Sequence, residues 1–318
     1  MKPPYDITPR ILVLIASISE KVGAVNAQYL VPANPTLRKQ NQIKTIHASL
    51  HIEGNTLSED QVTALLENKR VIGPKKDVAE VMNALSVYQK LQILSYSSEK
   101  DFLKAHRLLM KGLITNAGNY RTKGVGIVKG SQITHVAPPG ERVPGLMKEL
   151  FKYLKDPSEL VFIKSCVFHY EMEFIHPFAD GNGRMGRLWQ TLILMNSFPV
   201  FQFLPFETLI AKNQEAYYRS LAVSDKEGKS TRFIEYLLQI IDKALDDLLK
   251  TASKRLTGGQ RMQLFLEQLT GTFSRKDYMQ HFKELSSASA SRDLKASVEQ
   301  GLLQKWGDKK LTKYKKMP

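Results

Sequence analysis

A mainly α-helical protein, with one β-hairpin in its body and a small helix-and-strand module at its C-terminal end, is the fold class that the sequence predicts. Three observations carry this. Apolar residues recur at the spacing of one helix face over most of the chain. Residues 119–141 break that spacing, with Val125, Ile127, Ile133 and Val136 set among Gly124, Gly126, Gly130 and Ser131. After Thr257-Gly258-Gly259 the charge density rises, and a strand–turn–strand pattern closes the chain.

The chain has 318 residues, enough for two or three domains at about 100–200 residues each. The expected division is a helical region over 1–100, a core over 101–256 and a C-terminal module over 257–318. Hydrophobic residues at 42% and charged residues at 24% exclude a disordered chain, a collagen and a disulfide scaffold. Lys and Arg number 46 against 31 Asp and Glu, a net +15. Such an excess fits either an anionic partner or a solvated basic surface. The single cysteine, Cys166, cannot form an internal disulfide and reads as a small buried hydrophobe. The longest apolar run, Ile11–Ala16, falls far short of the ~20 residues that cross a bilayer. No membrane segment and a cytoplasmic location are therefore the expectation.

The helices follow in order. Thr8 caps a helix with Pro9 at its first position, and the apolar face continues through Ile18, Val22 and Val25. Thr36 opens a second helix that runs to about Glu53, where Gly54-Asn55 stops it. Ser58 with Gln61 forms a capping-box pattern for a helix through about Lys69. Helical spacing recurs over 77–94 and 102–114. The hairpin spans 124–137, with its turn near Lys129-Gly130-Ser131, and Pro138-Pro139-Gly140 ends it. Helices then cover 143–154, 158–175 and 184–195, with more up to Lys250.

The break at 176–183 is the chemically richest segment: His176-Pro177-Phe178-Ala179-Asp180-Gly181-Asn182-Gly183-Arg184-Met185-Gly186-Arg187. Pro177 forbids continuation of the preceding helix. Gly181 and Gly183 let successive N–H groups turn into one concavity. The helix that starts there adds unsatisfied N–H groups and the positive end of its dipole. Arg184 and Arg187, three apart, share a face. Nest, helix N-terminus and guanidinium groups together suit a polyphosphate. Asp180 is a hard oxygen ligand placed for Mg²⁺ on such phosphates. His176 stands where an imidazole can take a proton from a hydroxyl.

This segment resembles the Fic family signature, H-P-F-x-[D/E]-G-N-[G/K]-R-x-x-R, at every defined position. The resemblance extends over about residues 40–250, because a helical bundle with one hairpin is the Fic core. It implies a protein adenylyltransferase that moves AMP from ATP to Ser, Thr or Tyr hydroxyls of a target protein. It further implies His176 as general base and Asp180 as Mg²⁺ ligand. Asn182 and Arg184, with the Gly181 and Gly183 backbone, would hold the α- and β-phosphates, and Arg187 the γ-phosphate. A phosphorylating branch of the family tends to carry Lys where this chain has Gly183, so Gly183 favours nucleotidyl transfer.

Ser49-Leu50-His51-Ile52-Glu53-Gly54 places Ser49 and Glu53 on one helix face, with a carboxylate at the negative end of the dipole. An arginine is the natural partner for it. The stretch resembles the family's inhibitory motif, [S/T]-x-x-x-E-[G/N], which implies that Glu53 pairs with Arg187 and blocks the productive γ-phosphate pose. Similar glutamates also support removal of AMP from targets.

By the same resemblance the hairpin is a target-docking flap, with Ile127, Val128, Ser131 and Ile133 along an edge that pairs with an extended segment. Asn213-Gln214-Glu215-Ala216-Tyr217-Tyr218 resembles the family segment beside the adenine, with Asn213 on the base and Tyr217 packed near it. A Tyr-Tyr pair on a helix equally suits plain packing. Residues 258–318 hold twelve Lys and Arg against six Asp and Glu, a net +6. Three short helices followed by Leu302-Leu303-Gln304-Lys305-Trp306 and Lys313-Tyr314 resemble a winged helix. Ser289, Ser291, Arg292 and Lys295 would then face a DNA groove. The expected partners are ATP and target hydroxyls, with DNA through 257–318 and a homodimer left open. The rival function is a DNA-binding regulator that uses the Fic core as a nucleotide sensor.

Overall fold

The structure, a computed structural model, describes residues 3–29, 35–124, 126–129, 132–255, 257–268, 271–282, 285–307 and 312–317. It is mainly helical, as the periodicity predicts. In chain order the elements are α1 (Pro9–Tyr29), α2 (Pro35–Ile52), α3 (Glu59–Leu66), α4 (Lys75–Tyr88), α5 (Glu99–Leu109), β1 (Gly126–Lys129), β2 (Gln132–Val136), α6 (Val143–Leu154), α7 (Val161–Ile175), α8 (Asn182–Ser197), α9 (Glu207–Lys212), α10 (Gln214–Glu227), α11 (Thr231–Arg255), α12 (Gly258–Gln268), β3 (Thr272–Phe273), α13 (Arg275–His281), α14 (Ser287–Glu299), β4 (Leu303–Trp306) and β5 (Lys313–Lys316). The chain folds into two compact units, one of residues 1–23 with 33–244 and the other of 24–32 with 245–318. Among the described residues no helix is long and apolar enough to cross a membrane.

In the first unit α7 and α8 pack together most extensively. Both are apolar on more than one face, the pattern of helices enclosed by others. Phe102 of α5, Phe151 of α6, Phe168 of α7 and Trp189 of α8 meet largely edge to face. Phe178, from the loop between α7 and α8, packs against Phe102 in the same cluster. That apolar anchor holds the loop over the core. The α2 helix packs on α9 and also touches α8, which brings its last turn beside the loop. Cys166 is fully buried in α7, and burial pushes its thiol up to about 12.

Several boundaries move for local reasons. The Ser58–Gln61 capping box forms as predicted. Ser98 accepts from Asp101 N–H and starts α5 ahead of the expected position. The helix expected from 158 starts only at Val161, because Ser158 N–H is turned onto Asp156 Oδ1 at 2.9 Å. The helix expected over 77–94 stops at Tyr88 and is followed by a single 3₁₀ turn, Leu91–Ile93. The hairpin pairs β1 and β2 antiparallel, with Val128 opposite Ile133 and a bulge between Ile127 and Val128. Ser131 lies outside the described residues.

In the second unit α12, α13 and α14 surround a small core that includes Met262, Phe265, Tyr278 and Leu294. Its sheet has the order β3-β5-β4, with antiparallel pairs. The two-residue β3 is too short to leave any alternation in the sequence. Arg261 of α12 makes a double contact to Asp293 of α14, at 2.8 and 3.0 Å, and the Tyr278 hydroxyl donates to the same carboxylate. With Asp293 buried, this ion pair belongs to the core.

Candidate functional site

The α7 helix ends at His176 in the left-handed conformation, φ 49° and ψ 59°. A non-glycine residue there costs roughly 1–2 kcal/mol. Pro177 follows, and Asn182 then closes the loop. Its Oδ1 accepts from Phe178 N–H and its Nδ2 donates to Phe178 O, both at 2.9 Å. The Asn182 side chain therefore ties the loop to itself, and the residue also lines the cavity beside the loop. Its place at the start of α8 still contributes a backbone N–H to the nest.

Gly181 sits at φ 87°, and a Cβ on it would stand 2.8 Å from Met110 Sδ. Beneath it His106 stacks on Phe178, with centroids 3.5 Å apart and planes 5° apart. Nδ1 of His106 accepts from Gly118 N–H at 2.8 Å, so Nε2–H donates to Asp180 O at 3.0 Å. Burial pushes this imidazole down to about 4, which keeps it neutral and fixes the tautomer that holds the loop.

The two arginines are separated. Arg184 is buried and lies between Glu80 Oε1 at 3.0 Å and Asp180 Oδ1 at 2.8 Å. It does not line the cavity beside the loop, contrary to the shared face expected with Arg187. Arg187 is fully buried. Its Nε donates to Ser49 Oγ at 3.0 Å, and Nη2 donates to Ser49 O at 2.9 Å and to Glu53 Oε1 at 2.7 Å. Burial opposes its charge, but the Glu53 carboxylate beside it outweighs that and holds the guanidinium above its ordinary pKa.

A cavity of about 680 Å³ opens here, lined by Glu53, His176, Asp180, Gly183, Arg187 and residues of α7 and α10. Tyr217 is buried, its hydroxyl 3.0 Å from His169 Nε2 and donating to Glu173 Oε1 at 3.2 Å. The more exposed ring on this wall is that of Tyr218. Asn213 does not line the cavity. It caps α10 by accepting from Ala216 N–H at 3.2 Å. The side chains of Ile127, Val128 and Ile133 lie outside what the structure describes.

Sequence reasoning missed Glu173, Glu80 and His106. Glu173 stands three residues before His176 on one helix, and that spacing was a usable signal. Nothing local marks Glu80 or His106, which arrive from α4 and α5.

Among the described residues no cluster of three or more His, Cys, Asp and Glu could hold a metal. Asp180 offers one carboxylate, 47% exposed, at the cavity. A single hard oxygen beside a phosphate nest is the donor set on which Mg²⁺ shares its shell with substrate phosphates and water.

In the second unit a cleft is lined by Arg275, Lys276, Ser291, Lys295 and Lys305. Ser289 and Arg292 lie off it, bonded to each other at 3.1 Å.

Comparisons with known proteins add to this geometry. The model of the Fic/DOC family matches residues 96–194. A crystal structure of a Fic family protein from Desulfovibrio desulfuricans superposes with a TM-score of 0.77 and 40% identity, over 100% of this chain and 98% of that one. The Fic-1 structure from Caenorhabditis elegans, at 24% identity and TM-score 0.64, shares the fold over 77% of this chain and 74% of that one. Protein adenylyltransferase fic-1 of Caenorhabditis briggsae is 31% identical over 240 residues, 70% of this chain and 45% of its own length. Protein adenylyltransferase Fic of Drosophila mojavensis is 27% identical, over 73% of this chain and 46% of its own. The chain thus spans a little under half the length of the curated relatives it matches.

Proposed function

Because this chain belongs to the Fic family, we propose that it is a protein adenylyltransferase, moving AMP from ATP to hydroxyl groups of target proteins and of itself, and held back by Glu53. The observation that carries this reading is the Arg187 guanidinium. It faces the loop cavity already engaged by Glu53 and Ser49 of another helix.

In the reaction the target hydroxyl oxygen attacks the α-phosphorus of ATP. The bond to the β-phosphate oxygen breaks, and pyrophosphate leaves. His176 accepts the hydroxyl proton. Its Nδ1 is buried, so Nε2 is the nitrogen assigned to that task. The backbone of 181–183 and the α8 N-terminus hold the α- and β-phosphates, and Arg187 takes the γ-phosphate once Glu53 has left it. Asp180 would hold Mg²⁺, which supplies charge neutralisation on the phosphates. Arg184 acts from behind, holding Asp180 in place. Glu53, freed from Arg187, also suits the removal of AMP by orienting water. The test is label transfer from ATP by Glu53→Gly, absent in Glu53→Gly/His176→Ala. Equal labelling of both would overturn the reading.

The C-terminal unit supports a second role. Its described helix and strand order suits a winged helix, and its cleft is lined by four cations and Glu299. We assign duplex DNA to that cleft. Anisotropy of a labelled duplex with the full chain should fall with salt, by a slope of roughly −0.9 per phosphate contact. Lys295→Glu/Lys305→Glu should weaken it, and unchanged binding would remove the cleft from consideration.

A further inference from the structure

The segment that leads into the hairpin carries one more buried cation, for which the reaction above has no task. Arg121 is 4% exposed, and its guanidinium donates to four main-chain carbonyls. Nε reaches His176 O at 2.7 Å, and Nη2 reaches Ile175 O at 3.1 Å. Nη1 reaches Lys123 O at 2.7 Å, and Nη2 also reaches Pro138 O at 2.6 Å. The Arg121 N–H donates to Pro177 O at 2.9 Å.

These acceptors come from two places. Ile175, His176 and Pro177 are the end of α7 and the start of the loop. Lys123 precedes β1 and Pro138 follows β2, so they are the two roots of the hairpin. The roots are pressed together at this point, since a Cβ on Gly140 would stand 2.2 Å from Thr122 O.

The arrangement has a physical logic. The last carbonyls of a helix lack intrahelical donors and carry negative partial charge. A guanidinium satisfies several at once, in a fixed planar fork. Burial opposes the charge of Arg121, so the carbonyl dipoles must hold it. Two of those carbonyls belong to the peptides on either side of the His176 Cα, whose φ is 49°. Rotation about that Cα would break the bonds to His176 O and Ile175 O, and it would pull on the fork that clamps the hairpin roots.

We propose that Arg121 is a positioning residue, which holds the His176 backbone in the conformation that presents its imidazole to the cavity and locks that conformation to the roots of the hairpin. A strand docked on the hairpin and the base that deprotonates it then keep one fixed spacing. The proposal rests on the reading of His176 as the general base.

The test compares Glu53→Gly with Glu53→Gly/Arg121→Lys in the full chain. An ammonium offers three donors from one point and cannot span the four carbonyls. Self-labelling kcat should fall at least about tenfold, equivalent to about 1.4 kcal/mol, with the Kd for ATP unchanged. Free guanidinium, and not methylammonium, should restore part of the rate to Glu53→Gly/Arg121→Ala. An unchanged kcat, or a loss of ATP binding in step with kcat, overturns the proposal. The second outcome would make Arg121 a prop for the whole site. A readout independent of activity is the ring resonance of His176 in histidine-labelled protein. Arg121→Lys should move it while the other histidine resonances stay. A stationary His176 signal overturns the proposal even if no transfer is found in the Glu53→Gly parent, the result that would overturn the functional reading itself.

Discussion

Gly183 faces the Glu53 carboxylate so closely that a Cβ on it would stand 2.5 Å from Oε1. The same Cβ would lie 3.0 Å from Arg187 Nη1 and 3.3 Å from Glu173 Oε1. The residue that keeps the loop bare therefore also makes room for the Glu53–Arg187 pair. The clash falls on the far end of a flexible side chain, so a methyl group displaces Glu53 rather than the helix. Gly183→Ala should raise self-labelling above wild type and below Glu53→Gly, measured with labelled ATP. Labelling at the wild-type level would show that Glu53 keeps its hold by another rotamer.

Ser49 engages Arg187 beside Glu53, accepting from Arg187 Nε through Oγ while its carbonyl accepts from Nη2, and so joins the proposed brake. Ser49→Ala removes only the first and leaves a buried donor unsatisfied, at about 1–3 kcal/mol. Partial activation is expected, smaller than for Glu53→Gly, and Ser49→Thr should restore the brake. The same labelling assay ranks the three variants.

Glu80 holds two things at once: Arg184 Nη1 at 3.0 Å through Oε1 and Asn55 Nδ2 at 2.8 Å through Oε2. Asn55 lies directly after the Glu53-Gly54 turn, so one carboxylate supports both the loop arginine and the end of α2. Glu80→Gln leaves Arg184 buried with less compensation and should lower stability by roughly 1–3 kcal/mol. Thermal unfolding reads this as a lowered Tm.

Four buried groups predict a stability profile with pH. Burial pushes Glu207 up to about 8. Burial, helped by the charge of Asp225, pushes Glu171 up to about 7. Burial pushes His106 down to about 4 and His169 down to about 3. The two glutamates stabilise the fold fully below their ordinary value of 4.5, and this is lost as pH rises through about 7 and 8. The two histidines stabilise it above their ordinary value of 6.5, and this is lost as pH falls toward about 4 and 3. Between 4.5 and 6.5 the proton terms cancel, so these four groups give a plateau that falls on both sides. Glu207→Gln should flatten the alkaline fall and move the Tm maximum upward, as scanning calorimetry across pH would record.

Asp180 lines the loop cavity with its carboxylate 47% exposed and is the residue proposed to hold Mg²⁺ on the substrate phosphates. Chelation of divalent ions should abolish self-labelling by Glu53→Gly. Asp180→Asn should raise the Mg²⁺ concentration needed for half-maximal rate by about tenfold or more, the loss of one anionic ligand. A titration of rate against Mg²⁺ distinguishes this from a loss of His176 function, which no added Mg²⁺ would repair.

Much of the site was legible because its parts are contiguous. The twelve residues from His176 to Arg187 hold the proposed base, the proposed metal ligand and the nest, and loop and helix start are written in Pro and Gly. The Ser49–Glu53 spacing marked a carboxylate badly placed for its own helix and in need of an arginine. Less legible are the parts whose side chains have two chemically sensible uses. Asn182 can reach a phosphate or its own loop, and Asn213 can reach a base or cap a helix. Local spacing does not rank such choices, because the competing partner is equally near.

The sequence by itself determined the helical body, the hairpin of β1 and β2 and the loop that names the family, since periodicity, breakers and a contiguous motif are local properties. Tertiary structure alone decided the pairing of Arg184 with Glu80 over 104 positions, and it brings together over 134 positions the Arg187–Glu53 contact that the motif resemblance implied. It also decided the seat of Arg121 on four carbonyls. Buried charges must be compensated by whatever the fold brings within reach, and what comes within reach is set by how whole helices pack, not by the neighbours of each residue in the chain.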